Sequence, residues 1–180
     1  MALTYDHLDD RVRKLMLKEV DIDEAKGRLF LSPRLNAEGT RLYEGLLRKA
    51  VKSHDDDWLA SELEAKDCIN YGEARRLKSD KTILARTPND ASVIIAEGEF
   101  NRFYIRALCV LAIEDGIESV EIVRGRHPAS PRPESERLVG SMFPASKLLD
   151  DLRRHSGVET ALGVPAGPHS GLTVRLPSAG

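Results

Sequence analysis

The side chains best placed to do chemistry are two arginines. Arg102 and Arg106 stand four apart within residues 99–115, where most other positions are apolar. On a helix they share one face. A guanidinium in such a setting must be paired, because an unpaired buried charge costs several kcal/mol. Two readings stand: both pair with acids of the same chain such as Glu97, Glu99 or Glu121, or they reach a partner's carboxylate or a phosphate. A second basic group, Arg124, Arg126, His127 and Arg132, runs into Glu134 and Glu136. It is either a solvated loop or an extended Arg/Pro segment that docks on a partner or on nucleic acid. General nucleic-acid binders interleave cations with exposed aromatics. Here Phe100, Phe103 and Tyr104 fall on a core face, which weakens that second use.

The signatures of enzymes and metal sites do not assemble. Gly163, Gly167 and Gly171 are spaced by four, but prolines surround them and no strand–turn–helix frame holds a phosphate. There is no Gly-x-Ser-x-Gly elbow and no His-Glu-x-x-His. His7, His54, His127, His155 and His169 stand far apart. Cys109 lies in an apolar helical pattern, the setting of an inert core thiol, and Cys68 is too distant in sequence to form a framework with it. Glu97 with Glu99, and Glu62 with Glu64, are two apart and diverge on a helix. The run Asp55-Asp56-Asp57 suits a helix N-terminus better than a calcium loop. The expectation is a protein with no catalytic residues, no metal and no cofactor.

The elements that must position these residues are read from spacing. The chain has 180 residues, 41% hydrophobic and 31% charged, with a formal net charge of -2. That allows one cored domain and argues against a uniformly polybasic surface. No signal peptide or membrane-length apolar run is visible. Helical spacing marks residues 7–20, with Gly27 as a stop. Asn36 reads as the cap of a helix over 37–52, and the Asp run opens another that carries Trp58, Leu59 and Leu63. Residues 72–80 read as basic and irregular, and 81–86 as a strand or a loop edge. Thr87-Pro88 predicts a helix start at 88. Gly98 either ends that helix or lies inside one long helix. Residues 99–115 are the central core helix, Gly116 its C′ residue, and 118–124 a half-buried strand. Short helices follow from Pro133 and from Pro144 or Ser146. The last 24 residues are rich in Gly and Pro, and only 172–176 has strand character, at an edge or in another chain.

The string Gly98-Glu99-Phe100-Asn101-Arg102-Phe103-Tyr104-Ile105-Arg106-Ala107-Leu108-Cys109, with Ala112-Ile113-Glu114 and Gly116, carries a resemblance. Pro131-Arg132-Pro133-Glu134-Ser135-Glu136, Leu138 and Gly140 extend it. This stretch resembles small uncharacterised proteins from the structural gene neighbourhoods of tailed bacteriophages and prophages. The resemblance implies a virion or head-assembly component rather than a defined reaction.

The expectation is therefore a helix-rich α+β single domain over 1–156, with a small sheet and an extended C-terminal arm over 157–180. The expected function is non-enzymatic: a virion structural or assembly protein, put together in the host cytoplasm, that docks on head-shell or connector subunits in multiple copies. Docking would use Arg102, Arg106, Arg124, Arg126 and Arg132, with main-chain strand addition through Leu172, Val174 and Leu176. The alternative is a nucleic-acid-binding module for packaging or regulation that uses the same arginines. Neither involves a membrane.

Overall fold

The structure is a computed structural model and describes residues 3–127, 133–157, 162–164 and 170–177. Its first three helices begin where side chains satisfy the free N–H groups of a first turn. Asp9 accepts from Val12 N at 2.9 Å to open α1 (Asp10–Ala25). Asn36 opens α2 (Ala37–Ser53) by accepting from Gly39 N at 2.8 Å. Asp55 opens α3 (Asp56–Ala65) by accepting from Trp58 N at 2.9 Å. Asn36 also ties α2 to the segment after α3: its backbone N donates to the Cys68 carbonyl at 2.9 Å and its Nδ2 to that of Asp67 at 2.6 Å. The approach is so close that a Cβ on Gly39 would lie 2.2 Å from the Cys68 carbonyl oxygen.

Residues 72–80, expected to be irregular, supply β1 (Gly72–Arg76), which pairs antiparallel with β2 (Thr82–Arg86). The central helix α4 (Ala91–Glu114) follows. It begins three residues later than Thr87-Pro88 suggests, and Asp90 at its cap makes no side-chain capping bond. Gly98 lies inside this one long helix, with no atom within 4 Å of where its Cβ would be. Gly116, at φ +71°, ends the helix as expected. Helices α1 and α3, and later the helix over Ala145–Arg154, pack around α4. Phe100, Phe103, Tyr104, Ile105 and Leu108 are therefore buried on all sides of it.

Next come β3 (Ser119–Arg124), α5 (Pro133–Leu138), β4 (Met142–Pro144) and α6 (Ala145–Arg154). The chain returns as β5 (Leu172–Arg175), giving an antiparallel sheet of order β4-β3-β5. Ile122 stands opposite Val174 and Val120 opposite Phe143. The molecule is a helix-rich α+β domain, as expected, with two small sheets where one was expected.

The C-terminal strand corrects the arm expectation. Leu172 and Val174 are buried in the chain's own sheet, and Leu176 packs half-buried against the same core. The physical reason is that β3 has an open edge and α4 supplies polar partners beneath it. Asn101 Nδ2 donates to the Leu172 carbonyl at 2.8 Å, and Thr173 Oγ1 donates to Asn101 Oδ1 at 2.7 Å. Arg175 closes the far end on Glu121 at 2.8 Å. Residues 158–161, 165–169 and 178–180 of the expected arm lie outside the described residues.

Candidate functional site

The arginine stripe is consumed inside the fold, which corrects its expected role as an open docking face. Arg106 is fully buried. Its Nε donates to Glu19 Oε2 at 2.9 Å, and Nη1 and Nη2 clasp Asp23 at 2.5 and 3.0 Å. Arg153 reaches the other side of Glu19 at 2.5 and 3.0 Å. Burial pushes the Glu19 carboxyl up, but the hydrogen bond from Arg153 and the charge of Arg106 outweigh it and leave it below its ordinary value. The guanidinium of Arg106 also lies 5.0 Å from the Phe103 ring centre. Arg102 pairs with Glu99 at 3.3 Å and donates to the His155 carbonyl. Arg124 donates to the Ser170 carbonyl at 2.8 Å and pairs with Glu136, while Arg126 pairs with Glu97. Arg132 lies outside the described residues. Of the acids expected as partners from sequence, Glu99 and Glu97 do pair with stripe arginines; Glu121 pairs with Arg175 instead.

The thiols are chemically quiet. Burial pushes Cys109 up to about 12, far from a thiolate at neutral pH, and burial also raises Cys68. Among the described residues no group of three or more His, Cys, Asp or Glu is placed to hold a metal ion. No helix among them is long and apolar enough to cross a membrane. One buried acid is perturbed the other way from an ion pair. Asp56 sits in the first turn of α3 and accepts from Leu3 N at 3.3 Å, yet burial raises it to about 6.

What the fold leaves open is the β1–β2 hairpin. Among the described residues its strands pair with each other and with no other strand. An Arg34–Glu73 ion pair at 2.7 Å and a hydrogen bond from Thr87 N to the Tyr71 carbonyl at 3.0 Å tie down its base. Leu84 is 82% exposed, Tyr71 85% and Ile83 43%. The register sets Gly72 opposite Arg86, Ala74 opposite Leu84 and Arg76 opposite Thr82. Alternation then puts Leu84 on one face between Arg86 and Arg76. An isolated two-stranded ribbon is marginal in water, and Leu84 is the large exposed apolar side chain of one face, with Ile83 on the other.

Two clefts flank the hairpin's base. One, of about 660 Å³, lies over Ile94, Ile95 and Gly98 and reaches Glu99, whose carboxyl burial raises. The other, of about 470 Å³, lies between the end of α3 and the start of α4, with Glu64 and Asp67 on one wall and Tyr71 and Arg86 on the other. Sequence reading missed the hairpin as a site. Its available signal was the run of cations at Arg75, Arg76, Lys78 and Lys81 followed by Ile83-Leu84.

No protein-family model, curated protein or solved structure matches this chain.

Proposed function

We propose that the protein is a non-enzymatic assembly component that works by adhesion, with the β1–β2 hairpin as its docking element. The observation that carries this reading is Leu84, 82% exposed between two arginines on a ribbon that, among the described residues, pairs with nothing but itself. Burying such a leucine is worth about 1.5–3 kcal/mol, which a docked partner recovers. The likeness of residues 98–140 to proteins of tailed-phage structural neighbourhoods supports a virion setting. In that setting the assembly it joins is that of the head shell or its connector. The adhesive part is the hairpin, because the arginine stripe and the C-terminal strand are occupied at home. The test is Leu84→Glu, with copies retained per purified particle as the readout. Occupancy is expected to fall, while Leu31→Glu, at a 45% exposed position outside the hairpin, leaves it unchanged. Unchanged occupancy in Leu84→Glu would remove the hairpin from the mechanism.

One observation favours a second reading, a nucleic-acid module. A basic two-stranded ribbon fits a major groove, and Lys78, Lys81 and Arg86 make no ion pair among the described residues. That reading requires duplex binding that weakens steeply with salt. Filter binding that retains no duplex at low salt would eliminate it.

A further inference from the structure

We infer that the hairpin's occupant is a second copy of this chain, which receives Leu84 and its flanking arginines in the acidic cleft between α3 and α4. The inference rests on the adhesion reading and names its partner.

Charge carries it first. Residues 71–86 hold five cations, Arg75, Arg76, Lys78, Lys81 and Arg86, against Glu73 and Asp80, a formal +3. Residues 54–67 hold six acids, Asp55, Asp56, Asp57, Glu62, Glu64 and Asp67, against Lys66, a formal -5. Those two stretches account for the whole net charge of -2, so the remainder of the chain is neutral. Of those six acids Glu64 and Asp67 line the cleft, beside Arg86, so the complementary pair on this chain is these two carboxylates and the arginines that flank Leu84. Such complementarity steers encounter and fixes register. The same -5 repels a polyanion, which is why a nucleic acid is the poorer occupant.

Shape carries it second. Leu84 is a convex apolar knob. The cleft of about 470 Å³ is concave, with Leu63, Ile69 and Pro88 as apolar wall and the exposed carboxylates of Glu64 and Asp67 beside them. A leucine entering it brings Arg76 and Arg86 toward those acids.

Placement carries it third. Tyr71 and Arg86 at the hairpin's base line the same cleft as Glu64 and Asp67. Knob and cleft thus lie side by side on one protomer. Two copies related by a two-fold axis place each hairpin over the other's cleft, an isologous contact that closes on itself. Lys78 and Lys81 near the turn discourage open-ended pairing along the strand edges, so the face makes the contact.

The experiment is sedimentation equilibrium of the full chain across roughly 0.1 to 1 M salt, over which the screening length falls from about 10 to about 3 Å. A dimer is expected at low salt, with association at least tenfold weaker at high salt. Leu84→Glu is expected to give a monomer with unchanged circular dichroism, the side chain being exposed. Arg76→Glu with Arg86→Glu, and Glu64→Lys with Asp67→Lys, should each weaken the dimer. All four together should restore it, since each reversed hairpin then meets a reversed cleft. A monomer at every concentration, or a dimer indifferent to Leu84→Glu, overturns the proposal. Binding of a 20-base-pair duplex by a monomer, lost on Lys78→Glu with Lys81→Glu, overturns it in favour of the nucleic-acid reading. A monomer whose Leu84→Glu variant still loses occupancy on particles overturns the second copy while sparing adhesion.

Discussion

Replacing Arg106 with methionine is expected to remove a large share of the protein's stability. The side chain is fully buried and makes four hydrogen bonds, to Glu19 Oε2, both oxygens of Asp23, and the Glu19 carbonyl. Methionine keeps much of the volume against Phe103 and removes the charge. Glu19 still has Arg153, 35% exposed. Asp23, 6% exposed, is left without the guanidinium that holds it. Stranding one buried carboxylate costs about 3–5 kcal/mol, a large share of the roughly 5–15 kcal/mol that holds a domain together. For a chain of this size that is a fall in Tm of about 6–20 °C. Adding Asp23→Leu to Arg106→Met removes the stranded charge and is expected to recover at least half of the loss, because apolar replacement of a whole buried pair is close to neutral. Arg153→Met should cost about 1 kcal/mol or less, since that pair is partly solvated and Glu19 keeps Arg106. Urea denaturation of the single variants and of Arg106→Met with Asp23→Leu provides the measurement. If Arg106→Met stays within about 1 kcal/mol of the parent, the pairing argument fails. It also fails if the second substitution adds a further loss instead of restoring stability. Should Arg106→Met not fold, comparing Asp23→Leu with the double variant still isolates the coupling.

Other outcomes follow from single contacts. Asp56, raised to about 6, binds its proton more tightly folded than unfolded, so stability falls as pH rises from about 4 through 6. Asp56→Asn removes that slope, and its advantage over the parent should appear above pH 6 and vanish below pH 4 in denaturation curves. Gly98→Ala is expected to stabilise by about 0.5–1 kcal/mol, since helix propensity favours alanine and nothing lies within 4 Å of its Cβ. The same change at Gly39 should destabilise strongly, because its Cβ would meet the Cys68 carbonyl oxygen at 2.2 Å; Tm values of opposite sign check the pair. Asn101→Leu leaves the Leu172 carbonyl and the Thr173 hydroxyl without partners, and should cost about 2–4 kcal/mol while speeding hydrogen exchange in β5 before the rest of the sheet.

What sequence made legible divides along how far each signal reaches. Asn36, Asp55 and Gly116 act within one helical turn, so their roles could be read from neighbours alone. The i, i+3 pair Glu99–Arg102 was legible for the same reason. The partners of Arg106 lie 87 and 83 residues away on α1, and no spacing rule links them. What sequence did contain was the mismatch, a guanidinium in an apolar helix that had to find acids somewhere. Thr87-Pro88 is a strong local start signal, yet α4 begins at Ala91, after a turn in which Ala91 N donates to the Pro88 carbonyl at 3.1 Å. The C-terminal misreading has a long-range cause. Gly and Pro set the composition of the tail, but the fate of 172–175 was set by a free edge on β3 and by the amide of Asn101, which composition does not report. The hairpin is the sharpest case. Residues 81–86 read as a strand or a loop edge and 72–80 as irregular, because periodicity finds strands by the face they turn to a core and β2 is exposed along nearly its whole length. The property that hid the hairpin from pattern reading, apolar side chains with no core to enter, is the one that makes it the candidate docking surface.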